Sequence, residues 1–223
     1  MDKTKLKGYV EFLAHLEKYQ IHAEFADLAR IADETQIQTF GWPIGLVLHV
    51  EKYQPQVYSQ SGIRALIDDR ETFDYWTLQK NGDYYILMSL FEDLRKENSI
   101  FLDTRTIRTT ELLLRTARLY KALGVPENEV LACRIEHGGM QGRILTAANP
   151  MRAFSFSYQR KCAIPTIVNS FSEPIANYLD TVRLKEMVFE VVKSITEVCE
   201  MFIPSKSQVT DPMVDAFLSN KVI

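Results

Sequence analysis

Alternation of apolar and polar residues dominates the middle of the chain and predicts strands joined by hairpins. The segment "FDYWTLQKNGDYYILMSLFED" at 73–93 predicts the clearest hairpin, because two aromatic-rich runs flank Asn81-Gly82, a pair favoured in tight primed turns. "SGIRALID" at 61–68 alternates in the same way and predicts another strand. Further strands are predicted at 44–50 ("IGLVLHV"), 99–105 ("SIFLDTR") and 161–171 ("KCAIPTIVNSF"). Pro165 places the last of these at a sheet edge or a bulge.

A second hairpin is predicted around the glycine-rich stretch "HGGMQGR" at 137–143. The runs "EVLACRIEH" and "GRILTAA" on either side both read as strands, so the glycines form the turn between them. A phosphate-binding loop would instead lead into a helix N-terminus. We therefore expect a bend that needs positive φ at Gly138, Gly139 or Gly142.

Apolar residues at helical spacing predict helices at the two ends of the chain and one between the hairpins. The middle helix starts at a cap formed by Asp103 or Thr104 and ends before Gly124 and Pro126. The predicted helices span 4–19, 23–34, about 104–123, about 175–202 and about 211–219.

This order of elements predicts an α+β fold. Strands joined by hairpins favour a mostly antiparallel sheet, and the helices are expected to pack on one of its faces. We expect a helical N-terminal extension at 1–35 and a single α+β domain at 36–223, which closes with a long C-terminal helix.

Composition narrows the classes of function. The chain has 223 residues, of which 46% are hydrophobic, so it can bury a proper core. Its net charge of -3 is unlike the basic excess of a dedicated nucleic-acid binder. The sequence lacks an apolar run long enough for a signal peptide or a membrane span, so we expect a cytoplasmic protein that does not enter a membrane. The cysteines Cys133, Cys162 and Cys199 are far apart and are expected to be reduced and buried.

The glycine stretch is also the first candidate for a ligand site. Arg143 follows the glycines and Arg134 precedes them, so a cationic pair at a tight backbone could hold a carboxylate or phosphate. On the middle helix, Arg108, Glu111, Arg115 and Arg118 form one stripe, which is either a solvated ridge or the wall of a cleft or interface. The candidate anion-binding residues are Arg134, His137, Gly138, Gly139 and Arg143, followed by Arg108 and Arg115.

Several long motifs carry a family resemblance. They are "TFGWPIGLVL", "FDYWTLQKNGDYYILMSLFED", "IFLDTRTIRTTELLLRTARLYKALGV" and "RIEHGGMQGRILTAANP", and the closing "VTDPMVDAFLSNKVI" agrees with them. In this order they resemble the C-terminal region of bacterial proteins that carry an AlbA-like (Schlafen-type) nucleic-acid-binding domain. The resemblance covers about 36–223. In those proteins the AlbA-like domain comes first, so we expect the companion region here without that domain, and DNA binding is not transferred by association.

Together these patterns favour a non-catalytic binding or assembly module. It would sense a small anionic or nucleotide ligand, or dock on a protein partner or a second copy of itself. Neither a cofactor motif nor a metal-ligand spacing such as H-x-x-x-H is present in the sequence, so we expect no cofactor and no metal.

Two alternatives stay open. A metal-dependent phosphoesterase or nuclease would use Glu92, Asp93 or Asp103 with His137, provided that these side chains converge on one point. A single-stranded nucleic-acid binder would use an aromatic platform on the first hairpin. That platform would draw on Phe73, Tyr75, Trp76, Tyr84, Tyr85 and Phe91.

Overall fold

A seven-stranded antiparallel sheet forms the centre of the molecule, and a parallel pair of short strands lies apart from it. The computed structural model describes residues 5–38, 41–69, 72–149 and 160–220. In chain order the strands in these ranges are β1 (Tyr9–Leu16), β2 (Gln56–Ser59), β3 (Gly62–Asp69), β4 (Thr72–Gln79), β5 (Tyr84–Ser89), β6 (Ser99–Phe101), β7 (Val130–Gly138), β8 (Ile144–Thr146) and β9 (Thr166–Pro174). The main sheet has the order β2-β3-β4-β5-β1-β7-β9, and β6 pairs with β8.

The helices that accompany these strands are α1 (Phe25–Glu34), α2 (Leu102–Ala122), α3 (Ile175–Leu179), α4 (Thr181–Glu200) and α5 (Thr210–Leu218), and a 3-10 turn spans Phe91–Leu94. The predicted α+β fold with an antiparallel sheet and a C-terminal helix is confirmed. Of the helices in the described ranges, none is both long and apolar enough to cross a membrane.

α2 lies at the centre of the helical layer and is buried on nearly every side. Burial of its threonines is possible because Thr106, Thr110 and Thr116 each donate a hydrogen bond to the carbonyl four residues earlier, at 2.7–2.8 Å. The expected cap is not formed, because the helix begins at Leu102 and Asp103 lies inside its first turn.

The two faces of the sheet differ. Side chains on one face pack into the core with the helices, among them Phe12, Trp76 and Ile135. On the opposite face, here called the open face, Leu13, Leu66 and Val168 are 41%, 40% and 46% exposed. The open face also carries Glu11, Arg134, Glu136, Tyr75 and Tyr85.

The helix predicted at 4–19 is wrong: Thr4 lies outside the described residues, and Tyr9–Leu16 is the strand β1. It pairs with β5 on one side and with β7 on the other, so the predicted N-terminal extension contributes a central strand. "YVEFLAHL" fits both periodicities, since Val10 and Leu13 match a helix while Val10, Phe12, Ala14 and Leu16 alternate. The segment forms a strand because the alternating residues are buried when it pairs with a strand on each side. The second predicted helix is α1, which is confirmed.

The hairpin predicted around the glycine stretch is also wrong, although both of its strands exist. β7 pairs with β1 and β9 in the main sheet. β8 instead pairs in parallel with β6. β9 is an edge strand, as Pro165 predicted. The glycines therefore lead the chain out of one sheet and into another.

The strand predicted at 44–50 is absent from these described residues, although Ile44, Leu46 and Val47 are buried. Side chains satisfy its backbone instead of a neighbouring strand. The Ile44 N–H donates to Glu111 at 2.6 Å, the Val47 N–H donates to Gln36, and the Leu46 carbonyl accepts from Trp76. A buried apolar run can thus be a loop when polar side chains reach it.

Smaller differences concern turns and helix breaks. The β4–β5 turn has positive φ at Gly82 but not at Asn81, so it is not a primed turn. The predicted helix at 175–202 is divided at Asp180, whose extended backbone ends α3 and whose side chain accepts the Arg183 N–H to cap α4.

The expectation of three reduced cysteines is corrected. Cys162 and Cys199 form a disulfide that links the segment before β9 to the end of α4, and Cys133 is free and buried. The two cysteines are 37 positions apart in sequence, so their proximity in space could not be predicted from spacing.

Candidate functional site

The glycine bend, residues 138–143, is built for close packing of backbone against backbone. Gly139 and Gly142 have φ of +68° and +83°, as the bend was predicted to require. A Cβ on Gly139 would lie 2.0 Å from the Lys7 carbonyl oxygen, and one on Gly138 would meet the Tyr9 ring at 2.0 Å. The glycines thus let the chain turn beside the N-terminal segment.

Arg143 holds this bend in place from inside. The side chain is 5% exposed, and its Nε donates to the Gly139 carbonyl at 2.7 Å. One terminal nitrogen donates to the Ser99 carbonyl at 2.9 Å, and the other contacts the Asp93 carboxylate at 2.7 Å. The guanidinium therefore ties the bend to β6 and to the 3-10 turn.

Arg134 lies elsewhere, on the open face of the sheet. It pairs with Glu136 on its own strand and lies 3.9 Å from Glu11 on β1. The structure therefore gives Arg134 and Arg143 different internal carboxylates and does not aim them at a common point. An anion site at the bend loses its geometric basis.

His137 is buried on the helical face of the sheet, and its Nδ1 has no hydrogen-bond partner among the described residues. Burial, together with the smaller effect of the nearby Arg105 charge, lowers the pKa of its imidazole to about 3. The ring is therefore neutral at physiological pH and is part of the core.

The α2 stripe is a buried wall rather than a solvated ridge, except for the exposed Arg118. Arg115 is fully buried, bonds to the Tyr84 hydroxyl, and donates to the carbonyls of Ala32 and Gly45 at 3.0 and 3.1 Å. It therefore fastens α1 and the loop after it to the sheet.

Arg108 anchors the next part of that loop. It donates to the Trp42 carbonyl at 2.9 Å and pairs with Glu111 at 2.7 Å. Glu111 in turn accepts the Ile44 N–H. The pair fixes residues 42–44 over the N-terminal half of α2.

Beneath this loop lies a cavity of about 200 Å³, here called the α2 cavity. It opens between the loop, the β4–β5 hairpin, the 3-10 turn and α2. Its walls are mostly apolar, with polar groups from Asp74, Arg105 and Arg108. The lining residues are Gly41, Trp42, Pro43, Ile44, Thr72, Asp74, Met88, Ser89, Phe91, Leu94, Arg105 and Arg108.

Arg105 has unused hydrogen-bonding capacity at this cavity. Its terminal nitrogen pairs with the fully buried Glu92 at 2.9 Å, and Glu92 also accepts the Phe101 N–H. The buried Nε of Arg105 has no partner among the described residues. Unsatisfied buried donors are uncommon in native proteins, and the described residues also leave Arg115 Nε and His137 Nδ1 without a partner.

Asp74 is the second group with unused capacity. Within the described part of the chain, its carboxyl has no hydrogen-bond partner. Burial raises its pKa to about 6, opposed by the positive charge of Arg108 and assisted by the negative charge of Glu111. Perturbed carboxyls in a cleft are a recognised mark of functional sites.

Asp74, Arg105 and Trp42 were not among the site residues predicted from the sequence. A signal for Asp74 was present, because alternation on β4 puts Asp74, Trp76 and Leu78 on the core-facing side. A carboxyl at a core-facing position needs a partner or a function. For Arg105 and Trp42 the sequence holds no such signal, since their neighbours come from distant segments.

The residues proposed for a phosphoesterase do not converge. Glu92 bonds to Arg105, Asp93 bonds to Arg143, and Asp103 accepts the N–H groups of Ala148 and Asn149 at 2.9 Å. Across the described ranges there is no cluster of three or more His, Cys, Asp or Glu side chains that could hold a metal ion.

The aromatic hairpin is divided between the two faces of the sheet. Trp76 and Tyr84 are buried in the core, whereas Phe73, Tyr75 and Tyr85 lie on the open face. Tyr75 and Tyr85 contact edge to face, with ring centroids 6.0 Å apart. The carboxylates Glu11 and Glu136 share this face and would repel phosphates, so a nucleic-acid platform gains no support from it.

Comparison with known proteins gives no relative: no family model, no curated protein and no solved structure matches the chain.

Proposed function

We propose that the protein is a non-catalytic binding module that holds a small ligand in the α2 cavity. The observation that carries the proposal is a mostly apolar cavity lined by Asp74, whose half-buried carboxyl has no hydrogen-bond partner among the described residues. A charged ligand group that pairs with this carboxyl would form a partly desolvated, charge-assisted hydrogen bond, which is stronger than the same contact in water.

The dimensions of the cavity set the size of that ligand. An apolar cavity of roughly 150 Å³ can hold benzene. The α2 cavity is about 200 Å³, which leaves room for a molecule of one or two rings with a polar substituent. Trp42, Phe91 and Leu94 offer apolar contacts for such rings.

Binding rather than catalysis is favoured by the state of the neighbouring carboxylates. Glu92 and Glu111 each bond to an arginine and to a backbone N–H. Neither can take up a proton from a substrate without losing those bonds. On the described wall, Asp74 is thus left without a second carboxyl that is not already engaged by an arginine.

Ligand binding can be followed by the protein's own fluorescence. The chain has two tryptophans, of which Trp42 is 44% exposed at the cavity and Trp76 is 2% exposed in the core. We expect one- or two-ring compounds from a fragment library to change Trp42 emission and to raise the melting temperature. The emission change should disappear in Trp42→Phe while the thermal shift persists.

A matched pair of variants tests the location. Leu94 and Leu13 are both 41% exposed, but only Leu94 lines the α2 cavity. Leu94→Tyr should weaken binding about tenfold by occupying the cavity, whereas Leu13→Tyr on the open face should leave affinity unchanged. Equal effects of the two variants, or a library without any binding compound, would overturn the proposal.

A further inference from the structure

The charges around the α2 cavity determine which ligands it can accept. Two of its ion pairs are neutral in sum: Arg105 with Glu92, and Arg108 with Glu111. Asp74 is left over, so these five groups together carry one net negative charge when Asp74 is ionised, with Glu92 and Glu111 behind the arginines that line the cavity. The two arginines are therefore already compensated, and an incoming anion would have to compete with internal carboxylates.

From this charge distribution we infer that the α2 cavity takes a small aromatic cation, such as an amine or an amidine, whose charged group donates to Asp74. The inference rests on the proposed function and identifies the class of its ligand. The sequence predicted an anionic ligand from its arginines, but Arg105 and Arg108 at the cavity are already paired with carboxylates.

The apolar wall supports the same class. Trp42 and Phe91 border the cavity, and aromatic rings attract cations through their faces. Phe91 already shows this property, since the exposed guanidinium of Arg95 lies 5.0 Å from its ring centroid. Arg95 is in contact with solvent, so its repulsion of a cation in the cavity is screened.

The ionisation of Asp74 gives binding a characteristic dependence on pH. The charges of Arg108 and Glu111 on α2 act on Asp74, and Arg105, which is paired with Glu92, lines the same cavity. Near pH 6 a cation binds the ionised carboxylate, so the proton of the neutral carboxyl passes to the buffer. Above this pH the carboxylate is already ionised and binding releases no proton.

Three probes of one shape separate the alternatives: benzylamine as the cation, benzyl alcohol as the neutral form and benzoate as the anion. With the wild-type chain, we expect benzylamine to bind about tenfold more tightly at pH 7 than at pH 5, because the ionised fraction of Asp74 changes by about that factor. Benzyl alcohol should show no such trend, and benzoate should weaken as pH rises. Calorimetry in two buffers should detect proton release with benzylamine at pH 6.

Asp74→Asn is the near-isosteric variant. It should weaken benzylamine by about tenfold at pH 7, abolish the proton release and leave benzyl alcohol unchanged. Tighter binding of benzoate or benzyl alcohol than of benzylamine at pH 7 would refute the cation but retain the cavity as a binding site. If none of the probes and no library compound binds, the proposed function fails as well. The wild-type pH series decides the question even if the variant is unstable.

Discussion

The glycine bend and the α2 cavity both contain buried arginines, but the two regions use them differently. At the bend, every nitrogen of Arg143 has a partner: the carbonyls of Gly139 and Ser99 and the carboxylate of Asp93. At the cavity, Arg105 leaves its Nε unpaired, and Asp74 has no hydrogen bond among the described residues. The first region is satisfied internally, whereas the second is not.

This difference separates a structural motif from a candidate binding site. Glycines and arginines close together in sequence predict that chains approach closely, and at the bend they pack one backbone against another. Capacity to bind a ligand is better indicated by donors and acceptors that the fold leaves unused beside a cavity. Variants at the bend should therefore mainly lower stability, whereas variants at the cavity should mainly lower ligand affinity.

The largest expected effect is at the bend. Arg143→Met removes three interactions and leaves Asp93, whose side chain is 15% exposed, without its counter-ion. Breaking a buried ion pair from one side costs about 3–5 kcal/mol. Urea denaturation should show a loss of unfolding free energy of this size, while the folded fraction keeps its affinity for the cavity probes.

Arg134→Met is the matched control. Its ion pair lies on the open face with a side chain that is 41% exposed, so the expected loss is below about 1 kcal/mol. If Arg134→Met proved the more damaging variant, or if Arg143→Met abolished ligand binding without a loss of stability, the distinction between the two regions would not hold.

Much of the fold could be predicted, because local alternation carries it. The strands β3, β4 and β5 and the helix α2 lie close to their predicted positions, since each has a partner nearby or a long apolar stripe. β1 was missed because one short run fits two periodicities, and its burial between β5 and β7 is decided by residues about 70 and 120 positions away. Pairing of β8 with β6 rather than β7 is non-local for the same reason.

The candidate site could not be predicted, because four separate segments build it. The cavity is lined from 41–44, 72–74, 88–94 and 105–108, and no segment alone contains a motif. Arg108 was selected from the sequence, but as one of a charged stripe. Its actual role depends on the loop at 42–44, whose predicted strand does not form.

His137 gives the next largest effect, and it appears as a dependence on pH. Its folded pKa of about 3 lies below the ordinary value of 6.5, so below pH 6.5 the unfolded chain takes up a proton that the native protein does not. Stability should therefore fall as pH decreases, by about 1.4 kcal/mol per pH unit between pH 6 and pH 4, or roughly 3 kcal/mol in all. His137→Leu should remove this contribution. Parallel stability curves for the two proteins from pH 7 to pH 4 would show that His137 protonates in the native state.

The smallest expected change is a gain in stability at the cavity. The pKa of Asp74 is about 6 in the folded protein and 3.8 ordinarily, so the native state disfavours its ionised form. This cost develops as pH rises from about 4 to 6 and is fully present above that range. Asp74→Asn should therefore stabilise the unliganded protein by about 1–2 kcal/mol at pH 8, allowing for solvent screening, and by nearly zero at pH 3.

Asp103→Asn is the control and should change the free energy of unfolding in the opposite direction. The Asp103 carboxylate accepts the N–H groups of Ala148 and Asn149, so replacing it with an amide should destabilise the protein. Chemical denaturation at both pH values measures each change. If Asp74→Asn is more stable than the wild-type chain but binds a cation more weakly, Asp74 is retained for binding. Packing alone would favour asparagine at this position. A loss of stability in Asp74→Asn at pH 8 would instead assign Asp74 a structural role like that of Arg143, and the contrast between cavity and bend would disappear.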